Sequence, residues 1–160
     1  MVRYRRVRVP DGTFFFTVTL RDRRGRLLVD ELPALRAAWR SARMRVAHDI
    51  VAAVVLPDHL HAVLRMRDGA GDYSRLWQEI KKGFTRRVRA PGAPSPWQAR
   101  FREHMVRDEA DLRRCLDYVH FNPVKHGHAV RVRDWPYSTF HRHARAGALP
   151  IDWGGEASVP

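Results

Sequence analysis

The stretch from Asp49 to Met66, DIVAAVVLPDHLHAVLRM, limits what this chain can fold into more than any other part of it. Two short apolar runs, rich in β-branched residues, flank Pro57 and Asp58, which end the first run and begin a tight turn. The simplest reading is strand, turn, strand, an antiparallel hairpin. A strand sends alternate side chains to opposite faces, so His59 and His61 share one face while Leu60 points into the core. Two adjacent imidazoles are the start of a metal site or a cationic clamp for an anion, although an HxH pair alone is a weak signal.

The remaining segments supply partners for this hairpin. Thr13 to Leu20 (TFFFTVTL) predicts another strand, with Phe14, Phe16, Val18 and Leu20 on one face. Leu32, Leu35, Trp39 and Ala42 recur at helical spacing and predict an amphipathic helix over 31–47. Tyr73, Leu76, Trp77, Ile80, Phe84 and Val88 predict a second helix, whose other face carries Arg75, Gln78, Lys82 and Arg86. The APGAPSP run at 90–96 must be a loop. Asp108 predicts the cap of a third helix with Leu112, Cys115, Leu116 and Val119 buried, ending where Asn122 meets Pro123. This order implies an α+β fold, an antiparallel sheet with helices packed on it, over residues 1–127. Residues 128–160 show no clear period and are expected to pack on that domain as a C-terminal extension. Trp39 and Trp77 lie in periodic stripes and read as core, whereas Trp97 and Trp135 are better placed to stack on a base.

Charge narrows the partner. With 30 Lys+Arg against 17 Asp+Glu the formal charge is +13, so an acidic polymer, above all nucleic acid, comes first. Only Lys81, Lys82 and Lys125 are lysines; the other basic residues are arginines, which suit bidentate phosphate contacts. Coding bias also yields arginine-rich chains, so the net charge is the stronger indicator. Clusters at Arg3, Arg5, Arg6 and Arg8 and at Arg21, Arg23, Arg24 and Arg26 flank the first strand. The single cysteine, Cys115, excludes an internal disulfide and a multi-thiolate zinc site. No apolar run suggests a membrane span or signal peptide, so a cytoplasmic, nucleoid-associated protein is expected.

Tyr118 and Asn122 stand one helical turn apart on one face of the third helix. Asn122, the chain's sole asparagine, offers either a hard oxygen ligand or a helix C-cap before Pro123. Tyr118 flanks the apolar stripe, as an ordinary half-buried aromatic also would. His120, His126, His128, His141 and His143 read as solvated or phosphate-touching. Two imidazoles and an amide oxygen would bind a divalent ion, and a phenol one turn away could attack phosphorus.

The segments VVLPDHLHAVL, WQEIKKGF (77–84), WQARFREH (97–104) and above all DYVHFNPVKHG (117–127) closely resemble the REP-associated tyrosine transposases, single-tyrosine HUH enzymes. The resemblance runs from the basic N-terminal segment through DWPYSTFH (134–141) to PIDW (150–153), nearly the whole chain. It implies a ferredoxin-like HUH fold, with His59, His61 and Asn122 as ligands to Mg2+ or Mn2+ and Tyr118 as nucleophile. It implies cleavage through a 5′-phosphotyrosine, with a free 3′-OH able to rejoin strands. A phenol is mostly protonated at neutral pH, so the ion's charge would assist it. The implied substrate is single-stranded DNA carrying REP-type palindromic hairpins, bound by a monomer without a nucleotide cofactor; no Walker loop occurs. Arg3, Arg5, Arg6, Arg8, Arg21, Arg23, Arg24, Arg26, Arg75, Lys82, Arg86 and Lys125 are the candidate phosphate contacts, and Trp97 a stacking one. The rival reading is a non-catalytic, domesticated binder of DNA or RNA hairpins. A histidine-triad nucleotide hydrolase would need a further histidine where Val63 stands.

Overall fold

The computed structural model describes residues 9–67 and 72–154, which leaves the Arg3, Arg5, Arg6 and Arg8 cluster outside the described residues. Strands β1 (Thr13–Thr19), β2 (His48–Val55), β3 (His59–Met66) and β4 (Arg102–Met105) form one antiparallel sheet in the order β2-β3-β1-β4. The helices are α1 (Leu27–Asp30), α2 (Leu32–Arg43), α3 (Tyr73–Val88), α4 (Glu109–Lys125) and α5 (Phe140–Arg145), with a 3-10 turn at Val132–Asp134. The α+β reading holds.

The sheet is covered on both faces. Phe14, Phe16 and Val18 of β1 join Leu60, Ala62 and Leu64 of β3 in a core beneath α2 and α3. Phe15, Val63, Ala52 and Val54 face the other way, against Cys115 and Val119 of α4. Central β3 is therefore covered on both sides, and every residue of it but Arg65 is buried, His59 and His61 included. The α2 and α3 helices approach closely at Gly83, where a Cβ would stand 3.1 Å from that of Ala38. Gly83 trades helix propensity for that contact.

Several expectations need correction. The helix expected over 31–47 is shorter, α2 stopping at Arg43, and a separate one-turn helix, α1, precedes it. Strand β4 was not read, because four residues of mixed polarity at a sheet edge carry no period. Helix α4 does not end at Asn122 but passes through Pro123 to Lys125. Proline's missing N–H leaves the Val119 carbonyl without its helical donor, a single bond in the last turns of the helix. The following turn also closes, with His126 N–H on the Asn122 carbonyl and His128 N–H on that of Pro123.

The segment after α4 returns to the free edge of β2. Val55 N–H donates to the Tyr137 carbonyl at 2.9 Å, and Thr139 N–H to that of Ala53 at 2.9 Å. The ladder between β2 and β3 is irregular at Val51. Val51's carbonyl is taken up instead by His143, at 2.9 Å, and Arg142. No helix among the described residues is long and apolar enough to cross a membrane.

Candidate active site

The Pro57–Asp58 turn aims the hairpin's first residues. Leu56 N–H bonds the His59 carbonyl at 2.9 Å, and the Asp58 carbonyl accepts from Leu20 N–H at 2.8 Å. His59 and His61 then project from β3 toward α4, with ring centroids 4.9 Å apart. His59 Nδ1 donates to Asp58 Oδ1 at 2.7 Å, while Asp58 Oδ2 accepts from Arg23 Nε at 2.7 Å. A carboxylate on Nδ1 fixes the tautomer and leaves the Nε2 lone pair free for a ligand. Asp58 therefore belongs to the site. From the sequence it was only a turn former, and the signal for it was its place beside HxH.

Burial and charge agree with this assignment. Burial alone would raise the Asp58 carboxyl, but hydrogen bonds from Arg23 and His59 outweigh it and hold the group below the ordinary value. Burial lowers His59 against the pull of Asp58. His61 is pushed down to about 3 by burial, then by the charges of His59, His126 and Lys125. Both imidazoles are therefore biased toward their neutral, ligand-competent form. His61 Nδ1 meets the Thr17 hydroxyl at 2.8 Å.

On α4, Asn122 is fully buried, and neither its amide oxygen nor its nitrogen has a hydrogen-bond partner among the described residues. His61 Nε2 is likewise buried and unsatisfied. The amide lies near enough to favour His61's charged form slightly, yet outside hydrogen-bond geometry. Orphaned polar atoms in a folded interior cost about 1–3 kcal/mol each, so a cluster of them calls for a missing partner. One amide oxygen and two neutral imidazoles, one with a carboxylate behind it, fit a divalent cation.

Tyr118 stands half-buried beside them. Its ring meets His61 edge-on at 5.1 Å and Phe15 at 5.7 Å, and Lys125 Nζ sits over it 4.7 Å from the centroid. The structure thus brings together His59, His61, Tyr118, Asn122 and Lys125. His126, exposed and 5.4 Å from the His59 ring, joins the outer rim.

Other candidates fall elsewhere. Trp97 is buried, packed on Phe84 at 5.3 Å, and offers no face to a base. Trp135 is buried too, its indole N–H spent on the Val55 carbonyl at 3.0 Å. His120, expected to be solvated, is 1% exposed and bonds the Thr139 hydroxyl at 3.0 Å. Trp97 and Trp135 lie in no periodic stripe, so sequence patterning could not bury them, whereas His120 continues the Leu112 and Leu116 row of α4 as a polar residue. Arg23 is committed to Asp58, Arg21 Nε to the Trp97 carbonyl at 2.7 Å, Arg24 to Asp22 and Arg26 to Asp30. Arg75, Lys82 and Arg86 line an open 840 Å³ groove along α3.

His104, Asp111 and Cys115 also place ligand-type atoms within 4.8 Å of one another. Asp111 is already surrounded by donors: His104 at 2.8 Å, Arg107 N–H at 3.0 Å and Arg114 at 3.2 Å. Burial would raise its carboxyl, but these donors hold it down to about 2, while burial pushes the Cys115 thiol up to about 11. A protonated thiol beside a carboxylate already held by two guanidinium groups is a poor cation site, and the triplet acts as a clasp between β4 and α4.

No family model matches the chain. It is similar to the REP-associated tyrosine transposase of Escherichia coli (strain K12), 45% identical over 158 residues, spanning 99% of this chain and 94% of that protein. A putative REP-associated tyrosine transposase of Haemophilus influenzae is 37% identical over 173 residues, spanning 99% of this chain and 97% of that one. Among solved structures, a REP-associated tyrosine transposase bound to a REP hairpin superposes with a TM-score of 0.93 at 44% identity, covering 100% of this chain and 95% of that one.

Proposed function

This chain belongs to the REP-associated tyrosine transposases, and from that premise we propose that it nicks and rejoins single-stranded DNA beside REP-type hairpins through Tyr118. The observation that carries this reading is the convergence of a half-buried phenol on a cluster of buried, unsatisfied ligand atoms. Its ring is bounded by His61, Phe15 and Lys125.

Tyr118 Oη attacks the scissile phosphorus, the phosphotyrosine bond forms, the P–O3′ bond breaks, and the 3′-oxygen leaves as a hydroxyl after taking a proton. The energy of the phosphodiester is kept in the new bond, so rejoining is the same step reversed with another 3′-OH. A Mg2+ or Mn2+ ion held by His59, His61 and Asn122 would offset the charge that develops on the phosphate. Asp58 holds the His59 tautomer, Thr17 anchors the His61 ring, and Phe15 and His61 fix the plane of the phenol. Lys125 adds a positive charge on the ring's open side, where it also meets an incoming phosphate. Arg75, Lys82 and Arg86 track the DNA backbone along α3. The covered edge of β2 supports a monomer, and the net charge supports residence with the nucleoid.

Incubation with Mn2+ and a synthetic single strand carrying a REP-type hairpin and its flanks tests this reading. The wild type should form a covalent adduct at Tyr118, and Tyr118→Phe should form none while binding the hairpin nearly as well. An adduct on the Phe variant refutes the nucleophile. A wild type that binds but never reacts leaves the non-catalytic hairpin binder in its place.

A further inference from the structure

A second groove, of 310 Å³, opens between α2 and the strap that covers β2. Leu35, Trp39, Val55 and Tyr137 contribute to its lining, which places it on the sheet face opposite His59, His61 and Tyr118. Arg36 and Arg40 stand one turn apart on α2 at its rim. Both are exposed, and neither has an ion-pair partner among the described residues. The other two rim arginines are spent, Arg43 on Asp49 at 3.8 Å and Arg142 on the Ile50 and Val51 carbonyls.

The lining's polar groups are largely occupied. The Trp39 indole N–H donates to His48 at 2.9 Å, the Ser138 hydroxyl accepts from Phe140 N–H at 3.1 Å, and the Thr139 hydroxyl is bound to Ala53 and His120. The groove therefore offers apolar contact and aromatic edges, with few free groups to read the rim of a base. Two uncommitted guanidiniums over such a floor complement a flat apolar group carried between two negative charges. In a chain of charge +13 that description fits a nucleotide.

We propose that this groove takes one unpaired nucleotide of the DNA, remote from the cut, holding its base by contact and its flanking phosphates on Arg36 and Arg40, without selecting which base it is. The proposal rests on the reading of this protein as a binder of hairpin DNA but not on the chemistry at Tyr118.

The test uses the full-length Tyr118→Phe protein, so that binding is measured without cleavage, and a REP-type hairpin strand with unpaired flanks. An abasic site is moved through every unpaired position, and 5-iodouracil through the same positions for photocrosslinking. One position is expected to lose about tenfold in affinity when abasic, to change less than twofold when its base is exchanged, and to crosslink to Tyr137. The Arg36→Ala/Arg40→Ala pair, checked for an unchanged melting temperature, should weaken binding about tenfold and flatten the log–log salt slope by about 1.4. At saturating DNA, the same pair in the Tyr118-containing protein should still form the adduct. Abasic sites without effect, or crosslinks confined to other residues, overturn the proposal. So does unchanged DNA binding by the arginine pair, which would give the groove to an acidic protein partner. A wild type that forms no adduct overturns the catalytic reading alone.

Discussion

Replacing Asp58 by asparagine isolates the least expected member of the site. The substitution keeps size, the turn and the backbone carbonyl that accepts from Leu20, and removes only the negative charge behind His59. A hydrogen bond to a charged group contributes about 1.5–3 kcal/mol, and about 1.4 kcal/mol is one factor of ten in affinity. Losing the whole interaction therefore weakens cation binding by about 10- to 100-fold, the usual range for a carboxylate behind a metal-bound imidazole. Asparagine still accepts from Nδ1 through its amide oxygen, so Asp58→Asn should fall near the lower figure and Asp58→Ala near the upper. Arg23 is more than half exposed and can return to solvent, so Arg23→Ala should cost only a few-fold. The assay is adduct formation at saturating DNA over a Mn2+ titration, with the half-saturating concentration and the plateau rate read separately. The half-saturating concentration should rise while the plateau recovers. An Asp58→Ala protein that is folded and has wild-type Mn2+ dependence would refute the carboxylate's role in holding His59.

Trp97→Ala should destabilise the protein by about 3–5 kcal/mol in urea unfolding, because the ring is buried against Phe84. Weakened DNA binding without lost stability would restore Trp97 as a stacking residue. In metal-free protein, His61 and His120 are both held down to about 3, chiefly by burial, so the unfolded chain takes up their protons first as pH falls below about 6.5. Their stabilisation is complete above that value and lost below it, by up to about 2.7 kcal/mol per pH unit for the pair. Denaturant midpoints that stay flat from pH 7 to 5 would contradict it. Thr139→Val should slow single-turnover adduct formation at saturating DNA, with Thr139→Ser restoring it, since the hydroxyl joins Ala53 to His120. Equal rates in all three would reduce Thr139 to a surface clip.

The sheet and its helices were legible wherever period carried them. β1, the β2–β3 hairpin and α3 follow from alternation or helical spacing, and α3 matches its expected span from Tyr73 to Val88. β4 was not, because its place depends on pairing with β1 across the gap from Phe14 to Met105, which no local pattern records. His59, His61, Tyr118 and Asn122 were singled out by spacing and by family resemblance together. Asp58 was missed because its place in the turn already accounted for it, although the carboxylate stands next to His59 and holds that ring. Trp97 and Trp135 were misjudged for another reason: outside any stripe, burial is decided by tertiary contact alone.

Tyr118 and Asn122 ride on one helix, and His59 and His61 on one strand, so the reacting groups form two stiff parts rather than four independent ones. Their alignment reduces to how a rod sits on a plate. Thr139 touches both, through His120 on the rod and Ala53 on the plate, and so behaves as a shim. A change of the strap by a fraction of an ångström would move nucleophile and amide ligand together, preserving their mutual spacing while detuning both against the imidazoles. Variation in the C-terminal strap can therefore set the rate of this chemistry without altering any group that performs it.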